Sequence, residues 1–353
     1  MKFSAIAALL SATALVSVHP EKHSNDLSQQ EHELVARGSN KYAAAIEKRK
    51  VAVMEKRSRS LYKRQVRDGR IHEKRYIAKV DKRYIYPTIQ NDTCVLAPDA
   101  VWGPYAVDDE MIRHDVREEQ SDLDVYLDIG LLDIETCEPL SGAAVTIWHC
   151  NSTGTYSSYT GIDPDSAELL DGWSKRDDGT TDDETFLRGI LKSDAEGMVE
   201  ILTTFPGYYI TRTTHIHLTI QADIANGTAY NASSVQHVGQ IFFEEDLINK
   251  VYQLSPYNAH LSTLNRTTND EDTVLASAAT HGYSPIISVE YLGSNLTDGL
   301  VGYITVGVNT PAAGITTTGG SANPQGFIPT VSVAESERAA ATSIDTLAGY
   351  KRM

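Results

Sequence analysis

The sequence predicts a mainly β protein: an antiparallel β-sandwich core, an N-terminal helical arm before it and a disordered C-terminal tail after it. Three observations carry this. Short β-rich runs separated by turn signals fill the middle of the chain. A charged stretch of helix-forming residues precedes them. A stretch of small and hydroxylated residues without periodicity follows them. The boundaries fall at 1–19 for a signal peptide, 20–85 for the basic arm or a propeptide, 86–310 for the sandwich and 311–353 for the tail.

The first segment reads as a secretory leader. Lys2 supplies a positive start, and "FSAIAALLSATALVSV" is an apolar run too short to span a bilayer. "ATA" at 12–14 has the small-x-small pattern of a cleavage site. Nothing further along is apolar enough to cross a membrane, and no lipid-anchor signal ends the chain. The expected location is therefore extracellular. Six N-x-S/T sequons, beginning at Asn91, Asn151, Asn226, Asn231, Asn265 and Asn295, agree with that.

In the arm, Leu27, Leu34, Val35, Tyr42, Ala45 and Ile46 recur at helical spacings on either side of a break at Gly38. A helical arm of this kind would serve as a dimer contact. The same segment holds Lys-Arg pairs at 48–49, 56–57, 63–64, 74–75 and 82–83, which in a secreted chain also read as processing sites. The formal net charge is −16, with the arm basic and the body strongly acidic. An acidic body argues against nucleic acid as the main partner.

The sandwich begins with "LDVYLDIGLLDI" and "AAVTIWHCN", joined by the turn-rich "ETCEPLSG" as a hairpin. "GMVEILTTF", "THIHLTIQADI", "VGQIFF", "PIISVEYLG" and "GYITVGVN" continue the strands. The polar stretch "GIDPDSAELLDGWSKRDDGTTDDETF" reads as a long loop; it lacks the spaced acidic pattern of a calcium loop. Three cysteines allow one disulfide. A hairpin would put Cys137 and Cys150 at opposite ends of a strand, which disfavours their pairing and leaves Cys94 as one end of any bridge. Three reduced cysteines are the alternative.

The chemistry concentrates in "FPGYYITRTTHIHLTI". In a strand His215 and His217 share a face and form a ready metal pair. Arg212 and Tyr209 precede them at intervals of three. A phenol ionises near pH 10, so only a strongly cationic partner removes its proton at neutral pH. Fe(III) does so; Zn(II) and Cu(II) favour imidazole, thiolate or carboxylate. The reading calls for a second tyrosine, and Tyr156 in "IWHCNSTGTYSSY" offers one.

At these residues the sequence resembles the intradiol ring-cleavage dioxygenases, in particular their secreted fungal branch. The motifs are "CVLAPDAVWGPY" for a segment ending in G-P-Y, "IWHCNSTGTY" for W-x-x-N-x-x-G-x-Y, "FLRGILKSDAEG", and "FPGYYITRTTHIH" for P-x-x-Y, Arg and H-I-H. The resemblance implies Fe(3+) held by Tyr156, Tyr209, His215 and His217. It implies that Arg212 orients the substrate and that Tyr209 leaves the metal to accept a proton. It also implies a substrate set of a small aromatic diol and O2, with a muconic-acid type product. Tyr105 and Tyr208 are placed near the substrate, although Tyr208 also reads as a core or flanking aromatic. Bacterial members usually carry R-P-A-H-I-H where this chain has R-T-T-H-I-H. Arg188 reads as a structural ion pair, Trp102 and Trp148 as core, and His149 as a surface residue opposite Trp148. Two rivals stay open: a non-catalytic secreted binding module on the same scaffold, and a Zn or Cu site using His215 and His217 alone.

Overall fold

A computed structural model of the chain describes residues 96–101, 103, 105–107, 110–165, 180–222, 235–280 and 282–311. The expected leader, arm and tail lie outside them, as do Cys94, Trp102, Pro104 and the middle of the long polar loop.

The strands are β1 (Asp124–Asp133), β2 (Ala144–Trp148), β3 (Arg188–Lys192), β4 (Met198–Thr204), β5 (His215–Gln221), β6 (His237–Phe242), β7 (Ser288–Tyr291) and β8 (Leu300–Val308). They form two four-stranded sheets, ordered β4-β1-β8-β7 and β3-β2-β5-β6. Three short helices, α1 (Glu245–Val251), α2 (Tyr257–His260) and α3 (Thr273–Ala278), lie between β6 and β7. No helix among the described residues is long and apolar enough to cross a membrane.

One apolar core joins the sheets. Val125, Leu127 and Ile129 of β1, with Ile304 and Val306 of β8, meet Val145 and Ile147 of β2 and Ile216, Leu218 and Ile220 of β5. The alternation seen in the sequence is what lays these side chains on one face. Each fully buried aliphatic is worth about 1.5–3 kcal/mol, so this layer holds the two sheets in place.

Two expectations need correction. The sandwich is not wholly antiparallel: β1 and β8 pair in parallel, Val125 opposite Leu300 through Asp133 opposite Val308. They are the first and last strands among the described residues, and no turn sequence dictates the sense of so distant a pairing. The "ETCEPLSG" connector does not close a β1–β2 hairpin. A bridge between Leu132 and Pro139 starts one, but the chain then crosses to the other sheet. The chain still separates the two cysteines: Cys137 is disulfide-bonded, whereas Cys150 is free and buried.

His149 is the third correction. It does point opposite to Trp148, as alternation requires, but that face is the gap between the sheets and not the surface. The side chain is buried; its Nε2 lies 2.6 Å from Thr203 Oγ1 on β4 and its Nδ1 2.8 Å from the Cys150 carbonyl oxygen. Burial lowers its pKa to about 4. Because the folded pKa lies below the unfolded value of about 6.5, the unfolded chain takes up the extra proton first as pH falls. We expect folding stability to fall between pH 6.5 and pH 4 by about 3 kcal/mol through this group. Denaturant unfolding across that range should show a shallower slope for His149→Gln than for the parent; equal slopes would refute the assignment.

Candidate active site

The alternation of β5 that sends Ile216, Leu218 and Ile220 into the core sends His215 and His217 to the other face of the sheet. That face is covered as well. A second apolar cluster of Tyr105, Ala106, Val107, Trp148, Tyr156, Tyr159, Ile162, Tyr209 and Val238 lies over it. Both histidines are consequently buried.

The two tyrosines arrive on two tight loops. After β2, the Asn151 side-chain oxygen accepts from the Thr153 and Thr155 amides at 3.1 and 3.0 Å, folding residues 151–155 back on themselves. The Asn151 carbonyl accepts from the amides of Gly154 and Gly207 at 3.0 and 3.1 Å, tying this loop to the turn that precedes Tyr209. The loops touch backbone to backbone. A Cβ at Gly154, where φ is +88°, would lie 2.4 Å from the Tyr208 carbonyl, and one at Gly207 would lie 2.3 Å from that of Asn151. Only glycine fits at either place.

The result is a convergence of four donors. The Tyr156 and Tyr209 rings sit 5.7 Å apart at 73°. The Tyr209 hydroxyl lies 3.4 Å from His215 Nε2, and that nitrogen lies 3.0 Å from His217 Nε2. His215 Nδ1 is 2.6 Å from the Thr213 carbonyl oxygen and donates to it, which leaves the Nε2 lone pair facing the cluster. The Tyr156 hydroxyl is buried and makes no hydrogen bond among the described residues. Trp148 stacks on His217 at 5.0 Å and 5°, fixing that ring.

Burial sets the electrostatics. It pushes the phenols of Tyr156 and Tyr209 well above their usual range; the Arg212 guanidinium pulls both back in part. Burial, then His215, holds the His217 imidazole far below its ordinary value. Burial therefore favours the uncharged form of both phenols and of His217.

These residues fit a trivalent cation. A buried phenol oxygen without a hydrogen bond, next to imidazole lone pairs, is costly unless something positive completes it. Metal–ligand bonds of about 2.1 Å at right angles set donors about 3.0 Å apart, which is the spacing of the two imidazole nitrogens. Among the described residues no three His, Cys, Asp or Glu side chains converge. A metal held here by more than His215 and His217 therefore needs the phenols.

Around the donors, Tyr105 stacks on Tyr156 at 4.3 Å and meets Tyr209 edge-on at 6.1 Å. Tyr208 points elsewhere: its ring lies in the main core against His260, and its hydroxyl donates to the Leu264 carbonyl at 2.6 Å. Arg212 is buried, donating from Nε to Asp272 at 2.8 Å and from Nη2 to Gln240 at 2.6 Å. Where bacterial members have proline, the Thr213 amide donates to Asp272 at 2.9 Å, a bond proline cannot make.

Arg188 pairs with Glu110 at 3.0 Å, both buried, and donates to the Tyr105 carbonyl and to Ser157. It ties the segment carrying Tyr105 to the loop carrying Tyr156.

Sequence reasoning missed Gln240, Asp272 and Glu110. Gln240 had a signal: it lies directly opposite His217 on the next strand, a lone amide in "VGQIFF". Asp272 and Glu110 lie in segments with no strand pattern, and only the fold brings them to the arginines.

Solved structures similar to this chain include two dioxygenases. An intradiol ring-cleavage dioxygenase from Tetranychus urticae is 32% identical with a TM-score of 0.51, over 62% of this chain and 97% of that one. The crystal structure of a second dioxygenase is 31% identical with a TM-score of 0.50, over the same shares. No protein-family model and no curated protein matches the chain.

The Arg188–Glu110 pair yields a test. Glu110→Ala strands a buried guanidinium, and we expect a loss of about 3–5 kcal/mol in unfolding free energy. Urea denaturation showing less than about 1 kcal/mol would mean that the pair is not buried as described.

Proposed function

The chain belongs to the intradiol ring-cleavage dioxygenase family, and from that membership we propose that it is an extracellular non-haem Fe(III) enzyme that opens catechol-type rings with O2. The cut falls between the two hydroxyl-bearing carbons and gives a muconic-acid type product. The observation that carries the iron reading is the buried, unsatisfied Tyr156 hydroxyl beside Tyr209 and the facing nitrogens of His215 and His217.

In this reading Tyr156, Tyr209, His215 and His217 hold the iron. Bound there, ferric iron supplies a Lewis acid that lowers the pKa of a catechol and a template that fixes its two oxygens. The protein does the rest. His215 keeps its tautomer through the Thr213 carbonyl, so its donor nitrogen is always presented. Tyr209 would be the proton acceptor: its phenolate oxygen would take up a catechol proton, and burial favours the protonated phenol that results. Arg212 stays cationic and is held beside Tyr209, where it steadies negative charge developing on the ring. Tyr105 offers an aromatic face next to Tyr156 and helps to exclude water.

Secretion is supported by the disulfide-bonded state of Cys137, which suits an oxidising compartment, and by the exposure of the sequons at Asn265 and Asn295. We infer that the leader is removed and that the arm, where retained, pairs two copies.

Purified from a secreting host, the protein should be reddish, carry iron and consume O2 when given catechol. Tyr156→Phe should bleach or shift the visible band and lower kcat by about 100-fold or more. A colourless, iron-free native protein that takes up no O2 with any diol would instead favour the binding module.

A further inference from the structure

The orientation of Arg212 depends on a carboxylate far away in the chain. Asp272 is wholly buried. One of its oxygens accepts from Arg212 Nε at 2.8 Å and from the Thr213 amide at 2.9 Å. The other accepts from the amides of Val274 and Leu275 at 2.9 and 2.8 Å, capping α3. Gln240 holds the guanidinium from another side through its Oε1, while its own Nε2 donates to the Val101 carbonyl at 2.9 Å. A planar guanidinium gripped at two nitrogens by two buried acceptors has little freedom to turn.

We propose that Asp272 is a positioning residue that pins Arg212 beside Tyr209 and offsets its charge, so that the site selects uncharged catechols over carboxylate-bearing ones. This rests on the ring-cleavage reading above. A ring carrying a carboxylate brings a negative charge into a buried site, and burying it requires an uncommitted cation. The described residues offer none. Arg212 and Arg188 are the buried guanidinium groups at the tyrosine cluster, and each already faces a buried carboxylate, Asp272 or Glu110. Among the described residues no lysine side chain is buried. Asp272 thus does two things at once. It keeps the guanidinium where charge develops during ring opening, and it removes the net charge that would attract an anionic substituent.

The test compares the iron-loaded full chain with Asp272→Asn, using catechol and 3,4-dihydroxybenzoate as substrates. Asparagine keeps the shape and caps helices well, but it lacks the charge. The parent should prefer catechol in kcat/KM by about tenfold or more. In Asp272→Asn that preference should shrink by about tenfold, through a lower KM for 3,4-dihydroxybenzoate together with a lower kcat for catechol. A merely structural role would lower both substrates equally, and an unchanged ratio overturns the proposal. So does a parent that prefers 3,4-dihydroxybenzoate. Should Asp272→Asn not fold, Asp272→Ser, which also caps α3, carries the same measurement. Failure of both to fold makes Asp272 structural and overturns the positioning role. A parent that cleaves neither substrate overturns the ring-cleavage reading itself, which is a different result from cleavage with an unaltered ratio.

Discussion

The structure depends on one strand that has no solvent face. Ile216, Leu218 and Ile220 of β5 fill the gap between the sheets, and the alternate positions His215 and His217 lie under an aromatic cover. A strand buried on both sides normally reads as continuous aliphatics. Here the outer positions are imidazoles, and burying them requires partners for every nitrogen. The Thr213 carbonyl and the Tyr209 hydroxyl face the two nitrogens of His215, and the Trp148 ring stacks on His217. The loop geometry follows. Tyr156 and Tyr209 reach the histidines only if their loops pack backbone to backbone, and Gly154 and Gly207 are the residues that let them.

The same constraint explains the buried ion pairs. Tethers from the cover to the sheets must pass through a dry interior. Arg188 fastens both the Tyr105 segment and the Tyr156 loop to β3, and Arg212 fastens the Tyr209 turn to α3 and β6. Each guanidinium brings several donors but also a charge, so each needs a carboxylate of its own. Glu110 and Asp272 come from opposite ends of the described chain. The cover is thereby stitched to the sandwich by directional bonds and not by apolar contact alone.

Much of this was legible in the sequence, and the part that was not has a common cause. Every strand between Asp124 and Val308 except β3 had a β-rich run to announce it, because alternation is a local property; β3 was marked only by the family motif "FLRGILKSDAEG". His215, His217, Tyr209 and Tyr156 stood out because their spacing reflects a strand face and two tight turns. The parallel pairing of β1 with β8, the crossing of the chain after Pro139 and the inward face of His149 depend on which strands become neighbours. A two-residue period tells which side chains share a face, not which face meets water. The short helices after β6 escaped for a related reason: α2 and α3 are too brief to show a period, and Asp272 caps α3 with a residue type common in any loop.

The uncharged form that burial favours in both phenols and in His217 bears on how the site is assembled. A protein that kept two phenolates in a dry interior would unfold itself by repulsion and lost hydration. This one holds phenols, whose protonated state burial favours, and a His215 imidazole whose Nε2 lone pair already faces the cluster. Folding can therefore precede metal, with the hydrogen-bonded cluster standing in the meantime. In the proposed reading, a trivalent cation bound by the cluster would displace the phenol protons, so its binding would strengthen as pH rises. The cost of the unsatisfied Tyr156 hydroxyl is removed at that same step. Arg212 and Arg188, held off by Asp272 and Glu110, do not set bare positive charges against the arriving ion. In the proposed reading, the carboxylates paired with the two buried guanidinium groups would also ease the approach of a highly charged cation.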